Sequence, residues 1–338
     1  MQEPRSIGED APRGAQRRRW SHVGLIALEI GVLALVVAPV VVAAGFFWQG
    51  QEVWAEAAIG LLLAYCIMRL GASMRPGVRS PEDIYRRMGA HSIAAIENLG
   101  RGDFRLLPPN QRTVFGYIVE KPSSRVAEAF RKIHFVAGRF KRGAGKVIAV
   151  SSAAPKEGAS TVALGLARTM SAHGDRIVII DCDLRQRTLT NSLGLSPELG
   201  IWEAVSGKAT LEAALYIDDE HETAVLPATR GGVFRELFAG RQFFDLIERL
   251  KRDYDCIILD CPPVLTSVDT RMIARAADSV LLVVHWGRTS AAAVVSAGAI
   301  IGKLGLPLPM GIVLNRVPRP ARDRMSSARQ AAGRAHYA

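Results

Sequence analysis

The sequence predicts an α/β protein: a doubly wound, mostly parallel sheet preceded by a two-helix transmembrane hairpin. Three observations lead there. Two long apolar runs stand near the N-terminus, short β-branched runs alternate with helical patterns beyond Lys146, and phosphate-binding residue types follow directly after the strand-like runs.

The hairpin comes first. Hydrophobic residues make up 49% of the 338, an excess concentrated near the N-terminus, which points to membrane insertion rather than a richer core. Residues 23–48 are almost unbroken Leu, Ile, Val, Ala, Gly and Phe, longer than the ~20 residues a bilayer core requires. A second run spans residues 53–70, and only Gln49, Gly50, Gln51 and Glu52 lie between, bracketed by Trp48 and Trp54. Arg17, Arg18 and Arg19 precede the first run, and Arg69, Arg75 and Arg79 follow the second. Arginines on both outer flanks and none in the loop place both ends on the cytoplasmic side. The expectation is a multi-pass protein of a bacterial inner membrane, with N- and C-termini cytoplasmic. The net charge of +11 then belongs against anionic lipid, because no nucleic-acid module or basic-plus-aromatic stripe accompanies it. The four cysteines have no disulfide or metal-ligand spacing and read as buried thiols of a reducing compartment.

The rest divides by composition. Residues 1–20 form a basic cytoplasmic N-terminus, 21–71 the hairpin, 72–122 a juxtamembrane helix and linker, 123–317 the main domain, and 318–338 a basic, disordered tail. Ser80-Pro81-Glu82-Asp83 is a helix start, with a capping serine, a proline in the first turn and early acids, and the helix is expected to reach about Asn98. Ser123 or Ser124 caps a second helix running to about Phe140. In the main domain, the strand-like runs are 147–151, 177–181, 256–260, 280–284 and 311–314; helical patterns cover 161–173, 243–252, 270–277 and 291–304. Continuous apolar strands joined by helical crossovers make a parallel sheet covered on both faces, with ligands beyond the carboxyl ends of the strands.

Three motifs sit there. After the first strand, Ser151 to Thr161 forms a tight loop leading into a helix, which gathers backbone N–H groups and the positive helix end around a phosphate. Ser160 stands where a hydroxyl coordinates magnesium, but the lysine expected just before it is Ala159. The second strand ends Asp181-Cys182-Asp183-Leu184-Arg185, and a later one ends Asp260-Cys261-Pro262-Pro263. Carboxylates at the ends of buried strands need a cation or strong hydrogen bonds, and beside a phosphate loop they suit a magnesium–nucleotide site.

These residues carry a family resemblance. The apolar-Asp-x-Asp-x-Arg and apolar-Asp-x-x-Pro motifs resemble the bacterial tyrosine kinases of capsule and exopolysaccharide synthesis, relatives of the partitioning and division-site P-loop ATPases. Glu128-Ala-Phe-Arg131 is similar to that family's subunit-contact helix, Gly200 to Gly207 to its Gly-Leu-x-x-x-Leu-x-Gly segment, and Gly311 to Asn315 to its last strand. The resemblance covers about residues 121–317. It implies ATP or ADP with Mg2+ as cofactors. Gly158, Ser160 and Thr161 would cradle phosphate and magnesium, Asp181 and Asp183 would serve metal and attacking hydroxyl, and Asp260 would support Mg2+. Asn315 would read adenine, and Glu128 and Arg131 would join a homo-oligomer.

The sequence also departs from the family. Ala159 replaces the phosphate lysine, Lys156 occupies a usual glycine, His134 replaces the second arginine of the contact motif, and Tyr337 stands alone where the family has a tyrosine cluster for phosphorylation. The short hairpin loop leaves no large periplasmic domain, which implies a separate polysaccharide co-polymerase or export partner that carries one. Three readings stay open: a nucleotide-binding scaffold that is weak or inactive as a kinase, a tyrosine autokinase using Lys156 in place of the lost amine, and a membrane-tethered positioning ATPase.

Overall fold

The computed structural model describes residues 77–319, apart from 89–91, 106, 109–111, 138–144, 219–222, 230–236 and 304–310, together with Gly60, Leu63 and Cys66. The chain divides into two units, residues 1–75 and 76–338. The first predicted apolar run, the second apart from Gly60, Leu63 and Cys66, the basic N-terminus and Tyr337 lie outside the described residues. Among the described residues no helix is long and apolar enough to cross a membrane, and this overturns the expected inner-membrane, multi-pass placement.

The second unit opens with helix α1 (Pro81–Met88), strand β1 (Ser92–Glu97) and, after a short turn of helix, α2 (Val114–Glu120) and α3 (Arg125–Ala137). There follow β2 (Lys146–Ser152), α4 (Ala159–Ser171), β3 (Ile177–Asp181), β4 (Tyr216–Asp218) and β5 (Thr223–Leu226). The chain closes with α5 (Arg241–Asp253), β6 (Cys256–Asp260), β7 (Ser279–His285), α6 (Ala291–Gly302) and β8 (Gly311–Val317).

One eight-stranded sheet has the order β1-β8-β7-β2-β6-β3-β5-β4, parallel throughout except for the antiparallel β4–β5 pair. The two-residue period of the strands sorts their side chains into two layers. Val147, Ala149, Val178 and Ile180 face one layer with Phe243, Leu246 and Leu250 of α5 and Val294, Ala297 and Ile301 of α6. Ile148, Val150, Ile177 and Ile179 face the other, with Phe130 and Ile133 of α3 and Val162 and Leu166 of α4. Helices on both faces explain why β3 and β6 are buried along their whole length and show no polar alternation.

The five predicted strands all form, at or near their expected limits, and Ser124 caps α3 by accepting from the N–H of Ala127 at 3.1 Å. One expected element splits. The helix begun at Ser80, whose Oγ accepts from Asp83 N–H at 3.0 Å, stops at Met88, and Ser92–Glu97 becomes an edge strand paired in parallel with β8. Its residues alternate between buried and half-buried, so Ala94 and Ile96 gain more by completing the second layer than by continuing a helix.

Phe130 is fully buried, and a Cβ at Gly165 would lie 2.6 Å from its ring, so α3 and α4 meet at bare backbone. Phe130→Ala is expected to lower stability by about 3–5 kcal/mol in urea unfolding, because the rigid sheet beneath cannot collapse into the cavity. A loss near zero would show that α3 is not part of the cooperative core.

Candidate functional site

The β2–β6–β3 register sets the geometry. Val150 lies level with Asp260, and Asp260 level with Asp181, so the two carboxylates stand side by side at the carboxyl ends of adjacent strands. The phosphate loop leaves β2 two residues beyond Val150 and enters α4 at Ala159. The order β7-β2-β6 puts this exit where the chain's crossovers change direction, the usual place for a ligand crevice.

The loop is shaped by two left-handed residues, Lys156 (φ 67) and Gly158 (φ 94). Gly158 is required twice, for its φ and because a Cβ there would fall 2.3 Å from Asn315 Nδ2. At Lys156 a lysine occupies backbone space that suits glycine, a strained position. Its side chain is exposed, as is Thr161; Ser160 is half-buried and Ala159 buried. Glu157 folds back into the loop: Oε2 accepts from the N–H groups of Ala153 (2.9 Å) and Ala154 (3.1 Å), and Oε1 accepts from the Thr289 hydroxyl. Burial pushes the Glu157 carboxyl above its usual range. Asn315 donates from Nδ2 to the Glu157 carbonyl at 2.8 Å and accepts from Arg316 N–H at 2.9 Å. Among the described residues, the backbone N–H groups of Glu157, Gly158, Ala159, Ser160 and Thr161 donate no hydrogen bond. They form a row of donors at a helix N-terminus.

The three aspartates are held differently. Asp181 is fully buried and satisfied, accepting from Asp183 N–H (3.1 Å), Thr190 N–H (2.9 Å) and the Thr190 hydroxyl (2.7 Å). Asp183 accepts from the N–H groups of Arg185 (3.3 Å) and Gln186 (3.1 Å), which curls the chain behind it. Asp260, only 1% exposed, has no hydrogen-bond partner at either oxygen among the described residues; the nearby Ser160 hydroxyl eases its charge without completing a bond of proper geometry. Burial raises Asp181 to about 6 and lifts Asp260 well above the carboxylate range; the charge of Asp181 adds to the Asp260 shift, and that of Asp183 to both. An orphaned buried carboxylate beside a row of free N–H groups fits a hydrated cation with a phosphate. Among the described residues no three acidic, His or Cys side chains form a protein-only cage. Magnesium–nucleotide sites do without one, since phosphate and water complete the shell.

Beside the loop, a cleft of about 390 Å3 is lined by Glu97, Phe104, Phe130, Thr161, Asn315 and Arg316, among others. Phe104 and Glu97 belong to the stretch read from sequence as helix and linker, where nothing marked them for a site. On α3, Glu128 and Arg131 are exposed; Glu128 pairs with Lys132, and Arg131 donates to the Pro122 carbonyl at 2.7 Å. His134 pairs with Asp175 at 3.0 Å. Cys182, Cys256 and Cys261 are buried free thiols, and burial pushes Cys256 up to about 12. Sequence reading missed Glu157, Thr289 and Thr190, which look like ordinary polar residues until the topology brings them to the loop and the strand ends.

A family model described as an AAA domain matches residues 145–301. The chain is 34% identical over 177 residues to the succinoglycan biosynthesis transport protein ExoP of Rhizobium meliloti, covering 51% of this chain and 22% of that protein. It is 31% identical over 147 residues to the tyrosine-protein kinase YwqD of Bacillus subtilis, covering 43% of this chain and 61% of that one. It therefore spans less than two thirds of either relative. Among solved structures, the kinase domain of VpsO aligns with a TM-score of 0.53 at 26% identity, covering 59% of this chain and 98% of that one. The kinase domain of the Escherichia coli tyrosine kinase ETK shares the fold, with a TM-score of 0.63 at 24% identity over 72% of this chain and 96% of that one.

The buried acids make a pH prediction. Asp181, Asp260 and Glu157 all have raised values, so the folded state holds protons that the unfolded chain releases. Their stabilising contribution is complete below the ordinary carboxylate range and is lost as pH rises, through about 6 for Asp181. In chelator, the melting temperature of the ligand-free protein is expected to fall between pH 5 and 7, and Asp260→Asn to flatten that fall. An unchanged slope in the variant would remove Asp260 from the coupled group.

Proposed function

We propose that the chain carries a P-loop ATPase domain of the bacterial tyrosine-kinase family and is a nucleotide-binding regulator of exopolysaccharide or capsule synthesis and export, weak or inactive in phosphoryl transfer. One observation carries this reading: Ala159 stands where the phosphate lysine belongs, while Ser160, Asp181, Asp183 and Asp260 all remain at the strand and loop ends. A positive clamp on the transferring phosphoryl group is a main catalytic device in such sites, and its loss removes orders of magnitude in rate. Binding depends more on the loop backbone and on magnesium.

In this reading the N–H groups from Glu157 to Thr161 receive phosphate, and the nucleoside lies in the adjoining cleft. Asp260 and Ser160 would hold Mg2+, and its charge would offset that of the phosphates. Asp183 is the second carboxylate within reach, and Asp181 fixes the turn that presents it. Glu128 and Arg131 on the open face of α3 serve a contact between copies, and a separate protein with a periplasmic domain is the partner in polymer export. Support for the pathway comes from relatives that bear its name, among them the succinoglycan transport protein.

A second reading is an autokinase in which Lys156 supplies the lost charge. It is favoured by Lys156 itself, a lysine kept in strained left-handed backbone with its side chain exposed beside the loop.

Titration calorimetry with ATP and ADP in magnesium tests the binding, and Asp260→Asn is expected to reduce affinity at least tenfold. Ala159→Lys is expected to raise ATP affinity and to produce ATP turnover that the wild type lacks. Wild-type turnover that disappears in Lys156→Gly would decide for the autokinase. An Ala159→Lys protein that still binds no nucleotide would sink both readings.

A further inference from the structure

The phosphate loop needs a lysine neither for its shape nor for its availability. Backbone turns at Lys156 and Gly158 swing the Glu157 carboxylate inward, where it is 3% exposed and bonded to the first two loop amides, Ala153 and Ala154. Thr289, just beyond the end of the neighbouring strand β7, holds its other oxygen, 132 residues away in sequence. Thr289 Oγ1 also accepts from His285 N–H at 3.0 Å, and its own proton is free to donate to Glu157. Asn315, on β8, holds the same residue from behind through the Glu157 carbonyl.

The loop amides are thereby divided into two sets. Those of Ala153 and Ala154 are occupied by Glu157, whereas those of Glu157 through Thr161 donate to nothing among the described residues. A side chain that ties down the loop entrance while leaving the rest open does in the free protein what a bound phosphate otherwise does, namely order the backbone. Pre-ordering removes the conformational cost of binding.

We propose that Glu157, clamped by Thr289 and Asn315, is a positioning residue that pre-forms the phosphate cradle and so preserves nucleotide binding where Ala159 has removed the lysine. The proposal rests on the nucleotide reading above and extends it. Thr289 acts through Glu157 and touches no ligand. Asn315 serves as much to hold the loop as to meet a base, which gives a second reason for an asparagine at the end of β8.

The test uses the whole protein and two readouts. Thr289→Val keeps the side-chain shape and removes the hydroxyl; Thr289→Ser keeps the hydroxyl. In ligand-free protein, amide exchange at Ala153 and Ala154 is expected to quicken at least tenfold in Thr289→Val and to return toward wild type in Thr289→Ser. Mg-ADP affinity is expected to follow, falling about tenfold in the first and recovering in the second, the usual scale for one bond to a charged group. Asn315→Ala, which frees the Glu157 carbonyl instead, should act in the same direction and serves if Thr289→Val does not fold. Unchanged exchange in both variants overturns the clamp. Faster exchange with unchanged Mg-ADP affinity overturns its positioning role. A wild type that binds neither ADP nor ATP overturns the nucleotide reading, and the role with it; that failure is distinguishable because the exchange measurement needs no ligand.

Discussion

The site depends on the in-register placement of Asp181 and Asp260 on β3 and β6. Two carboxylates level with one another at the mouth of an apolar sheet repel and are both poorly solvated, and neither effect can be relaxed by moving a strand that is buried on both faces. Asp181 meets the problem with three donors from its own downstream chain. Asp260 has no such help and stays orphaned. The asymmetry tells the two apart: one acid organises the turn, and the other is left without a partner among the described residues.

That division alters the meaning of Ala159. A site with four buried or nearly buried acids, Glu157, Asp181, Asp183 and Asp260, would ordinarily set a lysine against them. In its absence burial lifts the Glu157, Asp181 and Asp260 carboxyls, so each takes up a proton more readily in the folded protein than in the unfolded chain. The loop tolerates this because its shape is set from within, by Glu157.

How much of this was legible in the sequence follows from range. The five β-branched strands and their crossover helices were readable because each carries a local pattern, and the aspartates were readable because they end those patterns. β1 was not: Ser92–Glu97 follows a well-marked helix start, and only the neighbouring β8, more than two hundred residues downstream, makes it a strand. β5 was missed for a similar reason, since Thr223–Leu226 is a four-residue run too short to show a period. In the site, Ser160 and Gly158 were visible as motif positions. Thr190 and Thr289 were invisible, because a threonine acquires a role only when tertiary structure places a carboxylate beside it.

The pairing of β1 with β8 also bears on where the domain begins. The family resemblance starts near Lys121, yet β1 lies upstream of it and covers an edge that β8 would otherwise present to solvent. Arg319 fastens the same corner, pairing with Asp103 at 2.5 Å and with Glu97 at 3.8 Å. A fragment cut at Lys121 would keep the phosphate loop but bare the largely apolar β8 with ladder groups unpaired along one side, the form of edge on which chains aggregate. The folding unit thus begins upstream of the nucleotide-site motifs, and its first strand covers an edge otherwise open to self-association.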